Sequence, residues 1–203
     1  MAYHIFTDFI ETMKIVGRFI VLLTIFLDVC CGAAMGSDIS FKLQNSFRKH
    51  MQVLSWSGIR DQNIVKQKYD YSCGSGALAT LMKIGFGEDV REEEIVNLIL
   101  SQKSPEEVAV IVNEGYSLLD LKKAAEKKGY FTALHRLQIH QLSQLKGPVL
   151  IYFEPEGKRH FSVLKRVHGE KVYLADPASG NVRLSLFRFK EEWSGVIMAI
   201  DKR

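Results

Sequence analysis

The sequence predicts an α+β domain, in which a helical first half packs against an antiparallel sheet in the second half. Residues 73–129 carry apolar side chains at the three- and four-residue spacing of amphipathic helices. Residues 130–200 contain short runs of β-branched and aromatic residues separated by turns, which is typical of strands. Because the helices and strands occupy separate parts of the chain, together they indicate the α+β class.

Four helices are predicted in the first half, over residues 73–85, 91–100, a short stretch opening at Ser104-Pro105, and 117–129. A serine cap and a proline at the first helical position mark the start of the third helix. Terminal lysines and Gly129 close the fourth helix. The acidic run 92–94 lies in the first turn of the second helix, where it suits the helix dipole. We expect these charges to face solvent.

Strands are predicted over residues 130–136, 149–153, 161–167, 171–175, 182–184 and 195–200, with a short helix over 138–145. Upstream, residues 58–66 are expected to hold a short strand that leads into the loop of Gln67. His135 and His140 lie five residues apart across a strand-to-helix junction, and we interpret them as surface or core residues. No spacing typical of metal ligands is present, so no metal or cofactor is expected.

The first 35 residues differ from the rest of the chain. Lys14 and Arg18 precede an apolar run over residues 19–27, and small residues follow at 32–34. This order predicts a secretory signal peptide, with an uncleaved membrane anchor as the alternative. Nine clean apolar residues are too few to span a bilayer, which favours a removed signal. Residues 36–59 would then be a leader segment and 60–203 the functional domain of a periplasmic protein, held at the membrane only if the N-terminus is retained.

Cysteine and charge content add to this interpretation. Cys30 and Cys31 lie in the predicted signal, so the exported chain would keep Cys73 alone. A single cysteine cannot form an internal disulfide, and in an oxidising compartment a reactive thiol is then the expected role. Losing residues 1–35 removes two basic and three acidic residues, which changes the formal net charge from +4 to +5. The basic residues are spread along the chain, so we expect no nucleic-acid partner.

The segment around Cys73 has the layout of a cysteine nucleophile. A thiol on the first turn of a helix lies near unpaired backbone N–H groups and the positive end of the dipole, which stabilise its thiolate. Ser72 is a natural N-cap, and Gly74 and Gly76 are expected to leave space for a substrate backbone. The Gln67 amide and the Cys73 N–H could donate to an oxyanion. The alternative is that Cys73 is an unreactive buried thiol with a purely structural role.

A base and an orienting carboxylate follow in the second half. His160 starts a predicted strand, and Asp176 ends the next one. Two strands joined by a hairpin bring the end of the second beside the start of the first, so these side chains can lie together. A nucleophile needs a base within hydrogen-bond reach and a third group that holds the base. His160 and Asp176 are candidates for these roles, although a turn-capping histidine and an Asp-Pro turn are common separately.

These segments together resemble peptidase family C39, the bacteriocin-processing or double-glycine peptidases. The resemblance covers about residues 60–200. It is carried by Gln67, by residues 72–74 (Ser-Cys-Gly), 115–121 (Gly-Tyr-Ser-Leu-Leu-Asp-Leu), 159–161 (Arg-His-Phe) and 175–180 (Ala-Asp-Pro-Ala-Ser-Gly). It implies a papain-like fold, with Cys73 as nucleophile, His160 as general base, Asp176 as its orienter and Gln67 in the oxyanion hole.

The resemblance also implies a setting. Many members of family C39 are domains of ABC exporters that cut a leader peptide after Gly-Gly. Since no transmembrane or nucleotide-binding region is evident here, the chain is more similar to free-standing secreted members, among them one encoded with functional-amyloid secretion systems. We therefore expect a cysteine endopeptidase with a peptide or protein substrate and export-system components as partners. Double-glycine specificity is not implied for such a member.

Two alternatives use the same residues differently. Transglutaminases and thiol acyltransferases share the Cys, His, Asp order and the thioester, and differ in the acceptor that resolves it. A non-proteolytic accessory of an export system would use the same cleft only to bind peptides. Such an accessory has no need of a nucleophile, so the presence of Cys73 argues against it.

Overall fold

The computed structural model describes residues 55–202. The predicted signal or anchor, residues 1–35, and residues 36–54 of the predicted leader lie outside the described residues. Within residues 55–202, no helix combines the length and hydropathy that a bilayer crossing requires. The residues from Trp56 onward form one compact unit, which contains all of the predicted site residues.

The described residues form six α-helices, and the four that were predicted, over residues 73–129, appear in the predicted order. They are α1 Trp56–Arg60, α2 Cys73–Phe86, α3 Glu92–Leu100, α4 Pro105–Glu114, α5 Leu118–Lys127 and α6 Leu186–Glu192, with 3₁₀ turns at Ile139–Gln144 and Pro155–Gly157. Gly87 ends α2 in the left-handed conformation, with φ of 71°, and its N–H bonds to the Lys83 carbonyl, as glycine C-caps do. Ser104 and Ser117 each accept a hydrogen bond from the backbone of the first turn, which fixes the starts of α4 and α5.

The strands form one antiparallel sheet. They are β1 Tyr130–Arg136, β2 Val149–Phe153, β3 His160–His168, β4 Lys171–Asp176, β5 Gly180–Ser185 and β6 Trp193–Lys202. Their spatial order is β1-β6-β2-β3-β4-β5, so the last strand along the chain lies between β1 and β2. The hairpin of β3 and β4 pairs Val163 with Ala175, and this register puts Asp176 near the first residues of β3. The predicted α+β class is therefore confirmed.

Two elements differ from the sequence prediction. No strand forms over residues 58–66. Instead, α1 ends at Arg60, and the chain runs to Cys73 without a sheet partner. The Asn181 side chain donates to the carbonyls of Arg60 and Gln62 at 2.9 and 3.0 Å, so these backbone groups are satisfied without a ladder. The helix α6 was not predicted, and its buried Phe189 attaches it to the sheet.

Both faces of the sheet are covered. On one face lies α2, whose Leu78, Leu81 and Met82 are fully buried against Leu150 and Val163. The alternate residues of the strands point to the other face, where Ile151, Leu164, Leu174 and Phe189 form a second cluster with Leu142. Residues of α2 and β3 share the core cluster on the first face, and the first residue of α2 lies near His160, the first residue of β3.

Candidate active site

Cys73 is the first residue of α2, as predicted. It is 7% exposed and is the one free cysteine among residues 55–202. The Ser72 side chain occupies the N-cap position but makes no hydrogen bond to the first turn. Its hydroxyl oxygen instead lies 2.9 Å from the Tyr69 carbonyl oxygen and also contacts the Glu92 carboxylate, so its single proton has two possible acceptors. Ser72 therefore takes the predicted N-cap position without the side-chain hydrogen bond expected of a cap. The Cys73 N–H is one of the first-turn N–H groups that have no partner within the helix.

The two glycines after Cys73 serve packing within the protein. A Cβ atom at Gly74 would lie 3.0 Å from a Leu121 methyl group. A Cβ atom at Gly76 would lie 2.9 Å from Cβ of Pro177 and 3.1 Å from the Val65 carbonyl oxygen. The expectation that these glycines make room for a substrate backbone is wrong, because the close neighbours are other parts of this chain. Gly76 lets α2 contact the loop that follows Asp176.

His160 and Asp176 meet as the hairpin predicted. The Nε2 atom of His160 lies 2.6 Å from Oδ2 of Asp176. The other carboxylate oxygen of Asp176 accepts from the backbone N–H groups of Ala178 and Ser179, at 3.0 and 2.7 Å. The His160 ring also packs edge-on against Phe153, with centroids 5.5 Å apart. Both members of the pair are thus held by contacts beyond their own hydrogen bond.

The Cys73 thiol lies close enough to the His160 side chain to interact with it. Because Nε2 is occupied by Asp176, Nδ1 is the ring nitrogen left for the sulfur. Burial on its own lowers the pKa of His160, but the hydrogen bonds and negative charges of Asp176 and Cys73 outweigh it and raise that pKa to about 9. At neutral pH the ring is therefore an imidazolium, which stabilises a thiolate beside it.

The contact with His160 also shifts the pKa of Asp176. Burial favours its neutral form, but the hydrogen bond and charge of His160, with the two backbone N–H donors, outweigh burial and lower the pKa of Asp176. The carboxylate is ionised at neutral pH and supports the positive charge on His160. The three side chains form a continuous line of sulfur, imidazole and carboxylate, the arrangement that nucleophilic acyl transfer uses.

Gln67 lies on the loop before α2 and is half-buried. Its backbone N–H donates to the Pro177 carbonyl at 3.1 Å, so it is tied to the loop that follows Asp176. Its side-chain nitrogen donates to the Tyr69 carbonyl at 3.0 Å, and its side-chain oxygen is buried without a partner. The amide group has two N–H donors, and one is left for an oxyanion after the bond to Tyr69.

Glu92 was not among the predicted site residues. It begins α3 and is only 2% exposed, whereas the acidic run was expected to face solvent. Both of its carboxylate oxygens accept from the Lys68 backbone N–H at 3.1 Å, and one also accepts from the Ser72 hydroxyl. Glu92 thus fixes the loop that leads from Gln67 to Cys73. Neighbouring Glu93 is only half-buried and pairs with the Lys68 ammonium, and the local sequence contains no signal that separates the two glutamates.

A cleft of about 530 Å³ opens beside Cys73. Its walls come from α4, α5 and the sheet, and they include Tyr71, Val112, Tyr116, Leu118, Tyr152 and Phe161. Arg159 and Glu114, both exposed, form an ion pair of 3.2 Å at this cleft. The cleft is mostly apolar with a few polar groups, which suits a peptide with apolar side chains.

The comparisons with known proteins bear on this site. Residues 61–203 match the Peptidase C39 family. The chain belongs to this family. It is therefore a cysteine peptidase, and the resemblance inferred from its motifs is confirmed. The relative named "Probable functional amyloid protease FapD" from Pseudomonas aeruginosa is 36% identical over 151 residues, which is 74% of this chain and 66% of the relative.

Two solved structures share the fold of this C39 chain. The peptidase domain of Streptococcus ComA, described as a bifunctional ABC transporter of a quorum-sensing pathway, has a TM-score of 0.58 and 20% identity, covering 69% of this chain and 98% of that domain. A double-glycine-motif protease from an AMS/PCAT transporter, solved with its leader peptide, has a TM-score of 0.50 and 24% identity, covering 69% and 91%. These likenesses confirm the expected papain-like α+β peptidase fold.

Proposed function

We propose that this C39 peptidase is a processing endopeptidase of an export pathway, with Cys73 as nucleophile, His160 as general base and acid, and Asp176 as the orienter of His160. The observation that carries the proposal is the line of contacts from Cys73 through His160 to Asp176, which lies beside an open cleft. Each role follows from a contact: the thiol faces the cleft, and the imidazole lies between the thiol and a fixed carboxylate.

The reaction proceeds in two steps. The thiolate of Cys73 attacks the carbonyl carbon of a peptide bond, and the electron pair of the C=O bond moves onto oxygen. The Cys73 N–H and the Gln67 amide donate to that oxyanion. His160 then protonates the amine nitrogen as the C–N bond breaks, which leaves a thioester. Water, deprotonated by His160, attacks the thioester, and the thiolate leaves with the new carboxylate released.

The substrate class rests on the relatives. One bears a name that refers to functional amyloid, and one structural neighbour was solved with a leader peptide. We propose that the substrate is a peptide segment of an exported protein and that export-system components are partners. The location rests on the predicted signal in residues 1–35, and we propose a periplasmic enzyme. Cell fractionation and N-terminal sequencing of the isolated protein test this, and a cytoplasmic protein that keeps residue 1 would contradict it.

The activity is tested on the full chain with a proteome-derived peptide library, with new N-termini identified by mass spectrometry. We expect cleavage that disappears in Cys73→Ala and in His160→Ala, and persists in His140→Ala, which removes an exposed histidine by the same substitution. Products that are cross-linked or acylated amines instead of cleaved peptides would indicate a transferase. Cleavage that survives Cys73→Ala, or peptide binding without any Cys73-dependent product, would overturn the proposal.

A further inference from the structure

A second cleft, of about 500 Å³, adjoins the proposed catalytic pair on the side away from Cys73. His160 and Asp176 line it, whereas Cys73 lines the first cleft. The two clefts have three lining residues in common, Asp70, Lys158 and Arg159, so they adjoin each other near the catalytic residues, and together they are called the groove. No step of the proposed mechanism so far uses the second cleft.

The proposed reaction gives the groove a direction, and the inference rests on that proposed function. The acyl part of the substrate becomes bonded to the sulfur of Cys73, so the residues before the scissile bond leave from the Cys73 side. The leaving amine takes its proton from His160, so the residues after the scissile bond must pass the ring of His160. We propose that the second cleft binds the side chains of the first residues after the scissile bond, and that it selects apolar ones.

The lining of the second cleft supports an apolar occupant. Its floor consists of Phe153 and Leu174, which are buried, and of Val182 and Leu184, which are half-buried on β5. Most charged residues that line the cleft are paired: His160 with Asp176, Arg188 with Glu192 at 2.9 Å, and Arg159 with Glu114 of the first cleft at 3.2 Å. The charges left are those of Asp70, Glu156 and Lys158, which are all exposed. Burial of apolar surface is therefore the main source of selectivity in this cleft.

The first test uses the library digest of the full chain. Among products that depend on Cys73, the new N-terminal residue or the one after it should be enriched in Leu, Ile, Val, Phe and Met over their frequency in the library. Cys73-dependent cleavage with no such enrichment would overturn the inference while leaving the proposed function intact. If no cleavage depends on Cys73, the proposed function fails and the inference fails with it.

The second test narrows the cleft. Val182→Trp fills the floor from β5, and Arg183→Trp places the same side chain at the next position, which is exposed. With two peptides that differ only in having Leu or Gly after the scissile bond, Val182→Trp should reduce the Leu-over-Gly ratio of kcat/KM by about tenfold. Arg183→Trp should leave that ratio unchanged. An unchanged Leu-over-Gly ratio in Val182→Trp, or the same change in both variants, would overturn the inference. Alkylation of Cys73 by iodoacetamide verifies that the catalytic thiol remains reactive in each variant.

Discussion

Oδ2 of Asp176 lies 2.6 Å from Nε2 of His160, while Oδ1 is held by two backbone N–H groups of the following turn. The carboxylate is therefore fixed in place before it acts on the imidazole. Burial lowers the pKa of His160, but the hydrogen bond and charge of Asp176, together with those of Cys73, raise it to about 9. The contact with Asp176 therefore orients the proposed base and contributes to its protonation state.

The first prediction concerns pH. His160 is charged below about pH 9, so kcat/KM should fall as pH rises through about 9, because the proton donor for the leaving amine is lost. Asp176→Asn removes the charge that raises this pKa, so the fall should move to lower pH, and the maximum should drop roughly 10²–10⁴-fold. The pH profile of kcat/KM measures both. The control Asp89→Asn changes an exposed aspartate and should reproduce the wild-type pH profile. If the fall in kcat/KM at high pH occurs at the same pH in Asp176→Asn as in the wild type, Asp176 does not raise the pKa of His160.

The second prediction concerns the oxyanion. Gln67→Ala should lower kcat by about 10²–10³, since one donor to the developing charge is lost while substrate binding remains. The rate at which iodoacetamide alkylates Cys73 should change little, because alkylation forms no oxyanion. Steady-state kinetics and peptide mapping of the alkylated protein measure the two effects. Gln62→Ala, the same substitution at an exposed position, should leave kcat unchanged. A twofold effect or less in Gln67→Ala would remove this residue from the mechanism.

The third prediction concerns the buried carboxylate of Glu92. Glu92→Ala leaves the Lys68 N–H without its acceptor in a buried place, so the free energy of unfolding should fall by about 1–3 kcal/mol. Activity should fall as well, because the loop between Gln67 and Cys73 loses its support. Glu93→Ala removes an exposed ion pair and should cost at most about 1 kcal/mol. Urea unfolding separates the two variants, and equal losses would show that burial of Glu92 is unimportant.

The fourth prediction concerns the contact of Gly76 with Pro177. Gly76→Ala introduces a methyl group 2.9 Å from Cβ of Pro177, and the resulting strain should cost about 1–3 kcal/mol of stability. It should also reduce kcat, because Pro177 follows Asp176 directly. At Gly85 a methyl group would only touch Pro148 at 3.7 Å, so Gly85→Ala should be neutral or stabilising by up to about 1 kcal/mol. Thermal unfolding measures the stability of both variants, and steady-state kinetics measure their kcat. Equal stability and equal kcat in the two variants would contradict the prediction.

Local patterns explain why much of the molecule could be predicted from its sequence. β1 and β2 match their predicted bounds, since alternation and turn residues are properties of a few adjacent positions. The contact of His160 with Asp176 could also be predicted, because a hairpin of two consecutive strands determines which ends meet. The start of α2 at Cys73 could be predicted because Ser72 is a typical N-cap residue and an apolar run follows from Ala77.

The features that could not be predicted depend on distant parts of the chain. Glu92 and Glu93 are alike in the sequence, and only the fold of the loop before α2 buries one of them. The role of Gly76 depends on Pro177, which arrives with the second half of the chain. The predicted strand over residues 58–66 is replaced by α1 and a loop, since Asn181 satisfies carbonyls that a ladder would otherwise have to satisfy.

The position of β6 inside the sheet makes the last strand along the chain the link between β1 and β2. Because β1 is an edge strand paired with β6, removing β6 would detach β1 from the sheet. The strands β2, β3, β4 and β5, which carry His160 and Asp176, would keep the pairings that they make with one another. The C-terminal strand therefore joins the two parts of the sheet, whereas the pairing of His160 with Asp176 is built into the hairpin of β3 and β4.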